Sequence, residues 1–283
     1  MDAEAKLVAL RRTLRDLERA VVAFSGGVDS SFLLQIAVEE LGAGAVAVTT
    51  RSPTAPEDDE AMARLLAGAL GAQHVLIDAD ELAIPGYAEN PTNRCYFCKG
   101  SLYAICGAEA ARRGIAVIVD GVNLDDLGDY RPGLTAATEH GVRHPLAEVA
   151  LSKAEIRVLS RRLGLPTADK PSSPCLSSRF PYGTAITLHG LRRVAGAEAV
   201  LRRLGFAECR VRFHDPIARI EVPPTSLARF AEPDVRETAV RELRALGFLY
   251  VTLDLQGFRS GSLNEALATA PATTPPSANR PAS

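Results

Sequence analysis

Ser25-Gly26-Gly27-Val28-Asp29-Ser30 is the first segment of this sequence whose residue types suggest chemistry. It lies between the apolar run Ala20-Val21-Val22-Ala23-Phe24 and a stretch of helical spacing that starts near Asp29. A strand-to-helix junction of this kind offers free backbone N–H groups beside the positive end of a helix dipole, which suits an anion such as phosphate. The glycines let the backbone close on the ligand. The spacing and lysine of a Walker A loop are missing, and so is G-x-G-x-x-G, so N–H and hydroxyl groups would have to hold the phosphate. The plainer alternative is an ordinary turn capped by Asp29 or Ser30.

Two further clusters could do chemistry. Asp120-Gly121-Val122-Asn123-Leu124-Asp125-Asp126-Leu127-Gly128-Asp129 follows a predicted strand and places four carboxylates within ten residues. That composition suits Mg²⁺ shared with substrate phosphate, with Gly121 and Asp126 as cofactor contacts; a solvated turn capping the next helix is the alternative. Arg51, at the end of the second predicted strand, either faces a nucleotide or lies on the surface. Cys95 and Cys98 form a C-x-x-C, and Cys175 stands apart in Ser172-Ser173-Pro174-Cys175-Leu176-Ser177-Ser178-Arg179. A structural zinc site needs four ligands, and Cys106 and Cys209 fall in predicted helix and strand. Three thiolates around a [4Fe-4S] cluster would leave one iron open for a sulfide. A redox pair at Cys95 and Cys98, with a merely buried Cys175, remains the competing reading.

The elements that must position these residues are a helix over 4–19, apolar strands at 20–24, 45–50, 74–77 and 115–119, and helices around 57–70 and 98–113. Strands alternating with helices predict an α/β fold with a doubly wound parallel sheet. After Lys170-Pro171 the pattern changes: helices at 188–204 and 233–246, and strands near 209–213, 217–222 and 249–255, predict a smaller C-terminal α+β domain. The expected division is therefore 1–170, 171–267 and a disordered Pro/Ala/Thr/Ser-rich tail at 268–283. Arg210 and Arg212 alternate along one strand and so share a face that suits a phosphate; a solvated face with cross-strand ion pairs is the alternative.

Composition excludes some functions. With 32 Lys and Arg against 34 Asp and Glu the net charge is −2, which gives no general field for a polyanion, so nucleic acid is not the expected substrate. Residues 176–267 carry 13 Arg and no Lys against 10 acids, a net +3; residues 1–175 carry 18 basic against 24 acidic residues, a net −6. An anion-binding surface is expected in the second unit. The charged N-terminal segment lacks a signal-peptide core, and no apolar run suits a membrane span, so a cytoplasmic location with reduced cysteines is expected.

In this context SGGVDS resembles the loop of the PP-loop ATP pyrophosphatases, which split ATP between the α and β phosphates and adenylate an acceptor. The resemblance implies an adenine nucleotide alpha hydrolase-like fold and carries Ser25, Gly26, Gly27, Asp29 and Ser30 over as ATP contacts. A narrower resemblance rests on SGGVDS, NRCYFCK, DGVNLDDLGDYRPG, RHPLAE, KPSSPCLSSRFPYGT, RVRFHDPIARIEV and GFLYVTLDLQGFRSGSLNE. From about residue 20 to 265 these look like the LarE family, which sulfurates pyridinium-3,5-biscarboxylic acid mononucleotide on the way to the nickel-pincer cofactor of lactate racemase. The resemblance implies ATP, Mg²⁺ and a small nucleotide substrate, with Cys175 as the essential cysteine. That cysteine either gives up its own sulfur or, with Cys95 and Cys98, holds a [4Fe-4S] cluster; the presence of all three points to the cluster branch. It further implies Arg179, Arg210, Arg212, Glu221 and Arg259 around the substrate, homo-oligomers, often hexamers, and transient contact with other cofactor-maturation proteins. A tRNA thiolation enzyme and a non-catalytic ATP or metal sensor are the alternatives.

Overall fold

A computed structural model describes residues 2–128 and 132–259. The expected disordered tail at 268–283 lies outside the described residues. The first part of the chain runs α1 (Ala3–Arg15), β1 (Ala20–Ala23), α2 (Val28–Leu41), β2 (Ala45–Arg51), α3 (Glu57–Ala69), β3 (Gln73–Asp78), α4 (Arg94–Arg113), β4 (Ile118–Val119), α5 (Pro132–Glu139), the single turn α6 (Pro145–Glu148) and α7 (Lys153–Arg162). The second part contains α8 (Leu188–Arg203), β5 (Arg210–His214), β6 (Ile217–Glu221), α9 (Pro233–Ala245) and β7 (Tyr250–Leu253).

The first sheet has the order β3-β2-β1-β4 and is parallel throughout. Its two central strands are apolar on both faces because both faces are covered. Ala20, Val22, Ala45 and Ala47 join one core with Leu7, Leu10 and Leu14 of α1 and Phe32 and Leu33 of α2. Val21, Ala23, Val46 and Val48 join another with Tyr103 and Cys106 of α4 and Ala136 of α5. The chain winds outward from β1 to β3, then returns through α4 to lay β4 on the other side of β1. This is the expected doubly wound α/β architecture. Crevices for ligands open at the carboxyl ends of strands where the winding reverses, so the loops after β1 and β4 leave the sheet side by side.

The second sheet has the order β5-β6-β7, antiparallel then parallel. Val211 and Phe213 of β5 and Ala218 and Ile220 of β6 face a third core with Val194 and Leu201 of α8 and Leu243 of α9. Tyr87 is buried in this same core, with Leu82, Ile84 and Phe97 packed against it, so the segment that leads into α4 belongs to the packing of the second sheet.

Two elements differ from the sequence reading. Helix α4 begins at Arg94, four residues earlier than expected, and takes in the whole C-x-x-C. Strand β4 is only Ile118–Val119; Ile115 is core, but it precedes the ladder. Among the described residues no helix is long and apolar enough to cross a membrane.

Candidate active site

The loop after β1 is held by its own serines. The Ser25 amide donates to the Ser30 hydroxyl at 3.3 Å, the Gly27 amide to the Ser25 hydroxyl at 3.4 Å, and the two hydroxyls lie 3.1 Å apart. Gly27 is the cap of α2 and makes no side-chain cap bond, so neither Asp29 nor Ser30 plays the capping role of the plainer reading. The N-terminus of this 14-residue helix is thus open to an anion. Gly26 has a positive φ of 69°, and a Cβ there would come within 3.1 Å of the Ala63 backbone.

Around this loop lies a basic cleft that the sequence reading missed. It is lined by Ser25, Asp29, Asp59, Lys153, Arg157 and Lys170, among others. Lys153 pairs with Asp29. Lys170 donates to the Gly26 carbonyl at 3.1 Å and pairs with Asp59 at 2.8 Å. Only four lysines occur in the chain, and two of them converge here; that scarcity was the one signal available. Asp29 Oδ1 is buried and has no hydrogen-bond partner among the described residues.

The acidic loop divides its carboxylates among different tasks. Asp120, fully buried, accepts from the Tyr103 hydroxyl at 2.6 Å and the Val122 amide at 3.1 Å and lies 2.6 Å from His144 Nδ1. Burial pushes its pKa upward, but the bond to His144 and the charge of Lys99 outweigh burial and leave it lowered. The same bond raises His144 against its own desolvation, so the contact is an ion pair whenever the imidazole is protonated. Asp125 accepts from the Lys153 amide at 2.8 Å, in the first turn of α7, whose cap is Ser152; this is not the next helix of the alternative reading. Asp126 accepts from the Asn123 amide at 3.0 Å and lines the main cavity. Asp129 lies outside the described residues. Gly121 is where only glycine fits: a Cβ would meet the Ser30 amide nitrogen at 2.8 Å. The acidic loop therefore rests directly on the first turn of α2.

Both loops open into a cavity of about 800 Å³ whose far wall carries Cys95, Cys98 and Cys175. Cys175 begins the turn 176–179, and Cys95 and Cys98 lie in the first turn of α4. Burial pushes the Cys98 thiol up to about 12, with Cys175 and Glu81 adding to it. Cys95, although exposed as a residue, is raised too, by desolvation and then by Cys175. Cys106 and Cys209 are buried and take no part in the cavity.

What brings positions 95–98 and 175 together is a set of polar links. Asn90, fully buried, donates to the Pro181 carbonyl at 2.7 Å; Arg94 bonds the Asn90 side chain and the Ser177 carbonyl; the Tyr87 and Ser177 hydroxyls lie 2.8 Å apart. From below, three arginines grip the carbonyls of the Cys175 loop. Arg210 donates to Ser172 O at 2.7 Å, Arg179 to Pro174 O at 2.6 Å and Cys175 O at 3.0 Å, and Arg212 to Ser178 O at 2.9 Å.

These bonds correct part of the expected substrate site. Arg179 is 1% exposed, faces away from the cavity and pairs with Glu198 at 2.8 and 3.0 Å, so it positions the Cys175 loop instead of meeting substrate. Glu221 is likewise 1% exposed and serves as counter-ion to Arg212 at 2.8 Å and Arg219 at 3.0 Å. Both corrections have one physical cause: a charge that deep needs a partner more than it can serve a ligand. Arg210, Arg212 and Arg259 do line the cavity. Arg51 stands at its rim with two donors on Asp78, at 2.5 and 2.8 Å.

Among the described residues no three His, Cys, Asp or Glu side chains are arranged to hold a single metal ion. A four-iron cluster spreads its thiolates more widely than one ion does. Cys95, Cys98 and Cys175 line one cavity, and three thiols are the donor chemistry it takes.

Residues 7–91 match the family described as asparagine synthase. The chain is 48% identical over 264 residues to an uncharacterised protein of Synechocystis sp., covering 93% of this chain and 98% of that one. It is 41% identical over 270 residues to the pyridinium-3,5-bisthiocarboxylic acid mononucleotide synthase of Lactiplantibacillus plantarum, covering 95% of this chain and 97% of that protein. The chain belongs to that synthase family. A further likeness, 30% over 203 residues, is to the glutamine-hydrolysing GMP synthase of Aeropyrum pernix and covers 65% of this chain and 39% of that one. The asparagine synthase match takes in the phosphate loop and stops before the C-x-x-C. The synthase family match runs on through Cys175 and the second sheet.

Proposed function

We propose that this protein is an ATP-dependent sulfurtransferase that adenylates the carboxylates of pyridinium-3,5-biscarboxylic acid mononucleotide and converts them to thiocarboxylates, releasing AMP and pyrophosphate. One observation carries the reading: the phosphate loop and Cys95, Cys98 and Cys175 line a single cavity. Adenylation and sulfur delivery would thus share one cavity.

Ser25, Gly26, Gly27 and Ser30 hold the ATP phosphates, and Lys153, Arg157 and Lys170 receive the departing pyrophosphate in the basic cleft. Asp29, whose buried Oδ1 lacks a partner, and Asp126 are the carboxylates that would hold Mg²⁺, which neutralises phosphate charge when bound. Arg210, Arg212 and Arg259 offer the acceptor's phosphate a basic wall. An acceptor carboxylate oxygen attacks the α-phosphorus and the bond to pyrophosphate breaks; a sulfur nucleophile then attacks the acyl carbon and the bond to AMP breaks. Cys95, Cys98 and Cys175 would hold a [4Fe-4S] cluster, which when bound supplies an open iron for a sulfide; without it, the Cys175 sulfur forms the thioester, and β-elimination then takes the Cys175 α-proton and breaks its Cβ–Sγ bond, releasing the thiocarboxylate and leaving dehydroalanine. On this reading residues 1–170 bind ATP, residues 171–267 bind the acceptor, and the protein acts in the cytoplasm as a homo-oligomer, hexameric by family likeness.

The test is turnover with ATP, Mg²⁺ and the pyridinium mononucleotide, following pyrophosphate, AMP and the mass gain of an oxygen-to-sulfur exchange. Acceptor-dependent pyrophosphate with that mass gain is expected. ATP bound without acceptor-dependent release would leave a sensor. Anaerobic purification decides the sulfur source: about four irons per chain, lost in both Cys95→Ala and Cys175→Ala, establish the cluster. No iron, with loss of H₂S from Cys175 after turnover, makes that cysteine the donor.

A further inference from the structure

Three of the four lysines have a carboxylate partner: Lys6 with Glu155, Lys153 with Asp29 and Lys170 with Asp59. Lys99 has none among the described residues, although it is only half-exposed and lines the main cavity. Its ammonium lies over the Tyr103 ring, 5.6 Å from the centroid. Its stem is confined, because a side chain at Gly133, in the first turn of α5, would meet Lys99 Cγ at 2.8 Å.

Lys99 also stands between the two halves of the site. Cys95, Cys98, Lys99, Leu102 and Tyr103 line the cavity as one stripe of α4, with the spacing of a single helix face. On one side its charge acts on Cys95 and Cys98. On the other it acts on Asp120, whose neighbour Gly121 rests on the phosphate loop. A confined ammonium that faces a cavity and has no salt-bridge partner among the described residues departs from the usual rule that such charges are paired, and departures of that kind mark functional sites.

We infer that Lys99 is a catalytic residue of the adenylation step, its ammonium bridging the acceptor carboxylate and the α-phosphate of ATP. This rests on the function proposed above. The carboxylate and the α-phosphate repel each other, and a cation between them offsets the repulsion as the carboxylate oxygen bonds to phosphorus and the electron pair of the breaking P–O bond leaves with pyrophosphate. The charge of AMP leaving in the second step develops beside the same ammonium.

The experiment uses the full chain and the Lys99→Met and Lys99→Arg variants, with three readouts: the unfolding midpoint, equilibrium binding of ATP, and acceptor-dependent pyrophosphate release. Lys99→Met is expected to keep its midpoint and bind ATP within about threefold of the parent while pyrophosphate release falls about 10²- to 10³-fold, the effect of removing one preorganised charge-stabilising donor. Lys99→Arg is expected to restore at least about a tenth of the parent rate, because charge and reach are retained. Pyrophosphate release by Lys99→Met within about threefold of the parent, with or without loss of thiocarboxylate, would overturn the inference. So would loss of ATP binding in proportion to the loss of rate. A parent protein that releases no pyrophosphate with this acceptor is a separate result in the same assay and sinks the functional reading itself.

Discussion

The phosphate loop is built from six consecutive residues, whereas the cysteines reach the same cavity from positions 95, 98 and 175 on two separate segments. The first region needs a strand, two glycines and a helix start. The second needs Asn90 and Arg94 to join α4 to residues 177–181, and Arg179, Arg210 and Arg212 to grip the carbonyls from Ser172 to Ser178. A local anion site follows from chain geometry, while a site assembled from distant segments has to be held by buried side chains. Of those arginines Arg179 is the most deeply buried and does not line the cavity, whereas Arg210 and Arg212 do. Mutations should therefore separate the two regions: damage to the buried ion pairs should reach the sulfur wall and overall stability, and damage to the loops should reach ATP.

The largest effect is expected from Glu198→Ala. It removes both carboxylate acceptors of Arg179 and the acceptor of the Val211 amide at 3.1 Å, and leaves an arginine charge buried at 1% exposure. Breaking one side of such a pair destabilises by about 3–5 kcal/mol, read as a lower urea midpoint. Folded Glu198→Ala should still bind ATP with near-parental affinity, because the phosphate loop lies on another core. An equal loss of ATP affinity would break the comparison.

Gly121→Ala should do the reverse. The new Cβ has to push the first turn of α2 away from 2.8 Å, and overpacking of this kind costs about 1–3 kcal/mol. ATP affinity should fall roughly tenfold, since about 1.4 kcal/mol is one decade. The rate at which iodoacetamide alkylates Cys175 should not change. Altered alkylation would mean that the acidic loop also positions the sulfur wall.

The same contrast explains how much was legible in the sequence. Alternating apolar runs and glycine turns announced both sheets, and SGGVDS announced the phosphate loop, because each signal is local. Arg210 and Arg212 were rightly placed on one strand face, but strand periodicity says nothing of the Ser172 and Ser178 carbonyls they would meet. Arg179 and Glu221 read as ligand residues because their buried partners, Glu198 and Arg212, are 19 and 9 residues away. His144 was passed over because its partner Asp120 lies 24 residues earlier, and the two meet only where Arg143 bridges to β4.

The His144–Asp120 pair gives a smaller, pH-dependent effect within the phosphate half. His144 is raised, so its contribution is complete below its ordinary value of 6.5 and fades as pH climbs through the raised value. Asp120 is lowered, so its contribution is complete above its ordinary 3.8 and fades as pH falls through the depressed value. His144→Gln keeps a hydrogen-bond donor and removes the charge. The difference in urea midpoint between parent and variant should be clear at about pH 5.5 and shrink at about pH 9. A difference that is constant across that range would make the contact an ordinary neutral hydrogen bond.

Arg51 should give the smallest effect, and it sharpens the comparison at its boundary. It ends β2 directly opposite Asp78 at the end of β3, both side chains are exposed, and each holds the other through two bonds. Exposed pairs of this kind are screened by water and salt and seldom register in stability, so Arg51→Gln should leave the urea midpoint unchanged. Its donors are engaged and it stands at the cavity rim, so ATP affinity should also stay within about twofold, on the same footing as a rim charge that adds little to binding. A tenfold loss would show that Arg51 leaves Asp78 for the nucleotide. The phosphate half would then also use a side chain that exchanges partners, and its independence from side-chain rearrangement would end there.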